Sequence, residues 1–365
     1  MMRQNIKPNI LWLRENFGWM GSHSGYDQLF EAIAELQTVN HSSICKEYKN
    51  IPSVGKRIIS GLTKQAKVSP YYNSESTIAE FALLWKAFTQ KTDLIHTAYV
   101  EHSLGILLDW KQRLSLKIVG TAHQPTSWWR LMHRYEDRIA LLNALIVPGS
   151  REVSYFENYL PGRVFFVPHG VDIDFFKPKS ETVDSDKAEK YPRCVFSGTW
   201  LRDIDTLAVV VDQLIAKNPN IRFDMIVPIS KRDHPAFYRI ARHEQVTWHA
   251  GISDEQLRTI YQQASLLLLP IIDSTANNAL LEGMSCGLPV VSNNVGGLLD
   301  YTRNDFADLL PVGDIDGMVE SVIKLIDDPQ QQNTRGAAAR FFVEENLTWD
   351  KIAMQTLEVY SKVIG

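Results

Sequence analysis

Two α/β domains, each built on a parallel sheet, are what this chain predicts. Short apolar runs alternate with helical patterns along its whole length. Its 365 residues suffice for two domains of ordinary size. The alternation breaks once, between Phe176 and Pro192, where KPKSETVDSDKAEKYP (177–192) is charged and has no aliphatic cluster. Strands that alternate with helices must be joined by crossovers, which gives a parallel sheet covered on both faces.

In the first half, NILWL (9–13) reads as a buried first strand and GWMGSHSGY (18–26) as the loop after it. Residues 26–36 place Leu29, Phe30, Ala32, Ile33 and Leu36 on one helical face. A second helix is expected over 76–89. DLIHTAY (93–99), LKIVGTAH (116–123), ALIVPG (144–149) and VFFVPHG (164–170) read as further strands, ending in loops with His, Gly and Pro. Ligands of open α/β sheets sit at such carboxyl ends.

The second half repeats the scheme. CVFSGTW (194–200), FDMIVP (223–228), VTWHAG (246–251), SLLLLP (265–270), LPVVSN (288–293) and DLLPVG (308–313) are expected strands. Helices are expected over 205–217, 253–264 with Ser253 as N-cap, 277–286 and 315–327. Two more, TRGAAARFFVEEN and TWDKIAMQTLEVYSKVI, close the chain.

Composition narrows the class. Hydrophobic content of 45% and charged content of 22% are those of a globular protein, and the net charge of −4 argues against a nucleic-acid coat. Cys45, Cys194 and Cys286 are far apart with no CxxC pair, so they read as thiols in a reducing compartment. The polar start reads as no signal peptide, and no window approaches the ~20 apolar residues that span a bilayer. A cytoplasmic protein is expected, with peripheral contact at the inner membrane face left open.

The richest stretch is LLLLPIIDSTANNALLEGMSCGLPVVSNNVGGL (266–298): strand, loop, helix, strand, and a loop ending in Gly296-Gly297. The backbone N–H groups of the 274–278 loop fall at a helix start, where anions are favoured. Glu282 lies about two turns in, among Leu280, Leu281 and Met284, as an inward carboxylate able to accept from a pair of hydroxyls. A phosphate cradle beside a diol acceptor describes a nucleotide-sugar pocket.

This pattern resembles the donor-binding signature of retaining GT-B glycosyltransferases, glycosyltransferase family four in particular. VPHGVDIDFFKP (167–178) and VTWHAGISDEQLRTIYQQASLLLLP (246–270) are similar to further signatures of that family. The resemblance spans nearly the whole chain. It implies a GT-B fold, two Rossmann-like domains facing across a cleft. The implied boundaries are 1–172 for an acceptor domain, 173–192 for a linker and 193–347 for a donor domain, with the last helix, 348–365, crossing back. The family usually has two glutamates separated by seven residues. Here Glu282 matches the second and Ser274 stands where the first would be.

The resemblance also implies site residues. Glu282 would hold the ribose, and Arg202, in SGTWLRDIDTL (197–207), would bind the donor phosphates together with Gly198 and Thr199. Asp273 or Ser274 would face the donor sugar, and the backbone of Thr275, Ala276, Asn277 and Asn278 would reach the diphosphate. Gly25 (with Gly21) would let backbone approach the donor, while Lys231, beside Arg232 near a strand's carboxyl end, is divided on its own residues between phosphate contact and solvated surface. His123 would contact the transferred sugar, so His123, Arg202 and Glu282 form the expected catalytic set. His23 would face the acceptor, with His96 and His102 at most lining it. From the residues alone, the adjacent Trp128 and Trp129 are divided between core packing and an exposed loop that stacks on an acceptor sugar or sits at a lipid interface. His169 is divided between a cleft role and hinge packing. Asp172-Ile173-Asp174 is explained by the hinge signature, so no metal is expected.

The expected activity is hexosyl transfer from a nucleotide-diphosphate sugar to a glycan, a lipid-linked glycan or a small molecule. A nucleotide-sugar-binding scaffold, suggested by Ser274, and a nucleotide-sugar epimerase are the alternatives. A basic amphipathic stretch, GKRIISGLTKQAK (55–67), admits membrane contact.

Overall fold

The computed structural model describes residues 7–15, 17–18, 20–46, 53–66, 69–132, 136–179 and 191–365. The predicted linker falls partly on 180–190, and Trp19 and Lys67 of the stretches above also lie outside the described residues. The chain divides into two compact units. The first comprises residues 1–20, 26–169 and 349–365, and the second comprises 21–25 and 170–348.

The first unit carries a six-stranded parallel sheet of β1 (Asn9–Glu15), β2 (Asn40–Lys46), β3 (Leu94–Thr97), β4 (Ile118–Thr121), β5 (Ala144–Val147) and β6 (Val164–Phe166), in the order β2-β1-β3-β4-β5-β6. Successive side chains point to opposite faces of a strand, and β1 shows it. Leu11 and Leu13 join one buried cluster with Ile95, Leu83 and Leu107. Ile10 and Trp12 join another with Phe30, Ile352 and Tyr360. Helices Gln28–Glu35 and Trp349–Ile364 pack on each other over that second face.

The second unit repeats the plan with β7 (Arg193–Ser197), β8 (Arg222–Ile226), β9 (Val246–His249), β10 (Leu266–Leu269), β11 (Val290–Asn293) and β12 (Ala307–Leu310), in the order β12-β11-β10-β7-β8-β9. Leu266–Leu269 and Val290–Asn293 are buried along their whole length, as strands covered on both faces must be. Helix Ile204–Lys217 packs on helix Ile315–Asp327. The two sheets with their covering helices form the predicted α/β class of two Rossmann-like units.

Several predicted ends move by one or two residues. The helix expected over 253–264 is Asp254–Gln263, with Ser253 as N-cap in a reciprocal capping box with Gln256. The helix expected over 277–286 is Asn278–Ser285, capped by the Asn277 side chain. Strand β2 escaped the sequence reading. Its NHSSICK is mostly exposed at the sheet edge, so it lacks the apolar alternation by which a strand is recognised. Cys194 and Cys286 are buried and Cys45 is exposed, all as free thiols.

Candidate active site

The candidate site of the second unit is built where β7 and β10 end. Gly198 follows β7 with φ +87°, a backbone region that favours glycine, and a Cβ there would lie 3.0 Å from the Arg202 guanidinium. The loop then returns to β10: Ile272 N donates to Leu201 O at 2.9 Å and Asp203 N to Pro270 O at 3.0 Å. Leu201, at φ +55°, holds a conformation rare for a side chain of its kind.

That turn aims Arg202 back across the strand ends. Its Nε donates to Ser197 O at 3.0 Å, one Nη to Trp200 O at 3.0 Å, and the other Nη to Asn277 Oδ1 at 3.2 Å. All three partners are neutral. Burial pushes its pKa down to about 10, so the guanidinium remains charged at neutral pH. Asn277 Oδ1 also accepts from Leu280 N at 3.2 Å, so one amide joins the cation to the start of helix Asn278–Ser285. A guanidinium and a helix N-terminus thus share one place, and both favour an anion.

Further along that helix, Glu282 is 5% exposed. The Tyr261 hydroxyl donates to its Oε2 at 3.2 Å, and the Ser24 hydroxyl donates to its Oε1 at 2.6 Å. Burial pushes the Glu282 carboxyl up to about 7, against the two donors, which pull it down. Ser24 belongs to residues 21–25, which Asp254 also holds by accepting from the Ser22 hydroxyl and His23 N. Gly25 stands at φ +92°.

The 273–278 loop rests on the glycine pair. Gly297 N donates to Ser274 O at 2.7 Å, and a Cβ on Gly297 would lie 2.2 Å from Thr275 O. Ser274 and Thr275 are buried, with the Ser274 hydroxyl donating to Ala276 O at 3.3 Å. Asp273 Oδ1 accepts from Ser274 N at 2.8 Å, so this carboxylate caps its own turn. Thr199 contributes its carbonyl to the turn that carries Arg202, and Ala276 and Asn278 are half-buried beside the helix start.

Lys231 is exposed on a short turn after β8, while Arg232 is structural: it donates to Val227 O and His249 O and lies over the Trp248 ring. His23 is stacked on Phe175, ring centroids 3.7 Å apart, and hydrogen-bonds Asp172 at 2.7 Å, so the hinge signature holds its ring. In the first unit Trp128 and Trp129 are not an exposed loop. They lie buried on helix Thr126–Leu131, where Trp129 Nε1 donates to Gln124 O and packs on Phe156, so the structure corrects the reading of them as acceptor-stacking surface.

His123 is half-buried at the end of β4, its edge toward Tyr26 and its Nε2 bonded to Ala98 O at 2.9 Å. Burial pushes its pKa down to about 3, which leaves it a neutral hydrogen-bonding group. Sequence reasoning missed the support beneath it: buried Glu101 accepts from His123 N at 2.5 Å and from Gln124 N at 2.8 Å. His96 is a core residue between Tyr360 and Thr121, His102 pairs with buried Glu15, and His169 packs on Trp349. Tyr261 and the Arg202–Asn277 bond were missed as well, since neither spacing marks a contact. Among the described residues no group of three or more His, Cys, Asp or Glu side chains is placed to hold a metal ion.

Fold and site define a two-domain α/β transferase of the GT-B class. Residues 191–328 match the family described as "Glycosyl transferases group 1" and residues 56–175 the one described as "Glycosyltransferase Family 4". The chain is a glycosyltransferase of family 4, group 1. It is similar to the MMP alpha-(1->4)-mannosyltransferase of Mycolicibacterium hassiacum, 23% identical over 75% of this chain and 71% of that protein. Among other curated relatives the share of their own length that is matched runs from 38% to 72%. The solved sucrose-phosphate synthase of Thermosynechococcus elongatus shares the fold at TM-score 0.71 and 19% identity, over 98% of this chain and 99% of that one. Anabaena HepE, solved with UDP-glucose, shares it at TM-score 0.69 and 13% identity, over 97% and 99%.

Proposed function

We propose that the chain moves a hexose-type sugar from a nucleotide-diphosphate sugar to a glycan, glycolipid or small-molecule acceptor, with retention of anomeric configuration and without a divalent metal. The observation that carries this reading is the half-buried Arg202 cation, whose partners are all neutral, joined through Asn277 to a helix N-terminus. Such a place favours a diphosphate and stabilises the charge that develops as it leaves. Glu282 then takes the ribose hydroxyls. In the transfer, the bond from the anomeric carbon to the phosphate oxygen breaks and a bond to the acceptor oxygen forms on the same face. The acceptor's proton passes to the departing phosphate. HepE's complex with UDP-glucose and the mannosyl transfer of the mycobacterial relative support a donor of this class. The composition supports action at the cytoplasmic side, and the acceptor belongs to the first unit.

The test incubates the full chain with a panel of nucleotide sugars in the presence of a chelator, without and then with candidate acceptors, and follows nucleoside diphosphate release and product by mass spectrometry and NMR. Transfer with the donor's anomeric configuration is expected. An inverted linkage overturns retention, and activity lost to the chelator but restored by magnesium or manganese overturns metal independence. Isomerised donor without acceptor identifies an epimerase instead, and binding without turnover a scaffold.

A further inference from the structure

Helix Ser74–Thr89 has two faces of unequal kind. Its inner face puts Thr77, Glu80, Leu83 and Leu84 into the first unit, and Asn73 caps it in a reciprocal box with Ser76. Its outer face places Ile78, Phe81, Ala82, Trp85 and Phe88 at the spacing of one helical stripe, all exposed. Trp85 is 69% exposed, Phe88 70% and Phe81 41%. A water-facing helix surface ordinarily carries charge there. Contiguous exposed apolar surface of this kind marks an interaction face.

A second helix extends the face. Ser53–Ala66 is tied to the first by a 2.8 Å bond between the Thr63 and Thr77 hydroxyls on their buried sides. The residues just before and after that bond, Leu62 and Ile78, are both exposed, and one turn earlier Ile58 is 72% exposed. Arg57 and Lys64 lie exposed on this helix, Lys86 in the last turn of the other, and Lys91 exposed just beyond it. Residues 57–66 and 69–91 hold four Lys and Arg against two acids, in a chain whose net charge is −4. One of those acids, Glu80, is wholly buried and accepts from the backbone N–H groups of Gly105, Ile106 and Leu107. The outward charge of this region is therefore basic.

We propose that this aromatic face with its basic flank docks on the surface of an anionic lipid bilayer. Trp and Phe seat among headgroups and upper acyl chains, while arginine and lysine meet lipid phosphates. No helix among the described residues is long and apolar enough to cross a membrane, so the contact is peripheral. The docking stands on this face alone. Its use, presenting the first unit to a lipid-linked acceptor, rests on the transfer reading above.

The experiment sediments the full chain with vesicles of phosphatidylcholine alone and of phosphatidylcholine with phosphatidylglycerol. Binding to the anionic vesicles, weakened by salt, is expected. The Trp85→Ser, Phe88→Ser double variant, altered only at exposed positions, should lower partitioning by about tenfold or more. Arg57→Gln with Lys64→Gln should lower it by roughly fivefold per charge at low salt. Brominated lipid should quench wild-type fluorescence more than that of Trp85→Phe. Absence of binding to anionic vesicles, or equal binding by wild type and the double variant, overturns the proposal. So does a concentration-dependent dimer that the double variant abolishes without any lipid binding, which assigns the face to a second copy. Donor hydrolysis measured without lipid reads the transfer reaction separately, so failure of one leaves the other standing.

Discussion

The Ser24 hydroxyl sits 2.6 Å from Oε1 of Glu282, across 258 positions of sequence. With Tyr261 on Oε2, both carboxylate oxygens accept from hydroxyl groups of the protein itself. An alcohol seated on a buried carboxylate is what a ribose hydroxyl would also present. In the proposed donor complex the ribose therefore competes with Ser24 for Oε1, and the 21–25 segment feels whether nucleotide is bound.

Glu282 should make the apo protein less stable as pH rises. Its carboxyl is pushed up to about 7 in the fold, chiefly by burial, against about 4.3 in the unfolded chain. Between these values the folded state binds more protons than the unfolded one, so stability falls as pH rises through this window and is level above it. Glu282→Gln imitates the protonated form at every pH. It should be more stable than wild type by about 1–3 kcal/mol at pH 8 and equal near pH 5. Urea unfolding at both pH values measures this, and a stability gap independent of pH would show that the carboxyl is not shifted.

Arg202→Ala should weaken binding of a nucleoside diphosphate by about 1.5–3 kcal/mol, the scale of a hydrogen bond to a charged group. Arg202→Lys should recover only part of it, since an ammonium lacks the guanidinium fork that now spans Ser197 O, Trp200 O and Asn277. Calorimetric titration with UDP, GDP and ADP in turn reads both variants. Equal affinity for wild type and Arg202→Ala refutes the phosphate role.

How much was legible depended on whether a residue's position follows from chain periodicity. Leu266–Leu269 and Val290–Asn293 could be read because a strand buried on both faces must be a continuous apolar run. Ser253 could be read because a capping box is local. Strand β2 could not, because an edge strand in water has no apolar alternation to show. Trp128 and Trp129 were left divided between surface and core because adjacent aromatics after a strand carry no period, and a short helix turns both inward. The Arg202–Asn277 and Ser24–Glu282 bonds join residues far apart in sequence, and no spacing rule records such pairs. The helix start and the inward glutamate were nonetheless nameable from local pattern, whereas Arg202 as phosphate candidate and the ribose role of Glu282 came from the family resemblance.

Acid should unfold the first unit through two histidines. His96 and His123 are both pushed down to about 3 by burial, against about 6.5 when unfolded. Below pH 6.5 the unfolded chain binds protons that the fold refuses, so stability falls from there down to about pH 3, by up to about 1.4 kcal/mol per pH unit for each ring. His96→Gln removes one of them and should flatten that slope by about one proton while stability near pH 8 changes separately through the lost Tyr360 and Thr121 contacts. The buried Trp12 and Trp129 report this unit's unfolding by fluorescence. Identical slopes for the two proteins would mean that His96 titrates normally in the fold.

Gly296→Ala should damage the 273–278 loop rather than the fold as a whole. Gly296 stands at φ +49°, and a Cβ there would lie 2.0 Å from Ser274 O and 2.9 Å from Ser274 N. These are backbone atoms, which cannot turn aside as a side chain would. The 273–275 turn must move, and with it the bond from Gly297 N to Ser274 O and the start of the helix that Asn277 caps. The expected cost is about 1–3 kcal/mol of stability, with a loss of about tenfold or more in nucleoside diphosphate affinity as the cradle leaves its alignment with Arg202. Gly313→Ala supplies the comparison: its φ is +81°, yet nothing lies within 4 Å of the added Cβ. It should show the backbone strain, about 1 kcal/mol, and normal nucleotide affinity. Urea unfolding and calorimetry on both variants separate strain from displacement, and equal nucleotide binding by Gly296→Ala and wild type would exclude the 274–278 backbone from the diphosphate site.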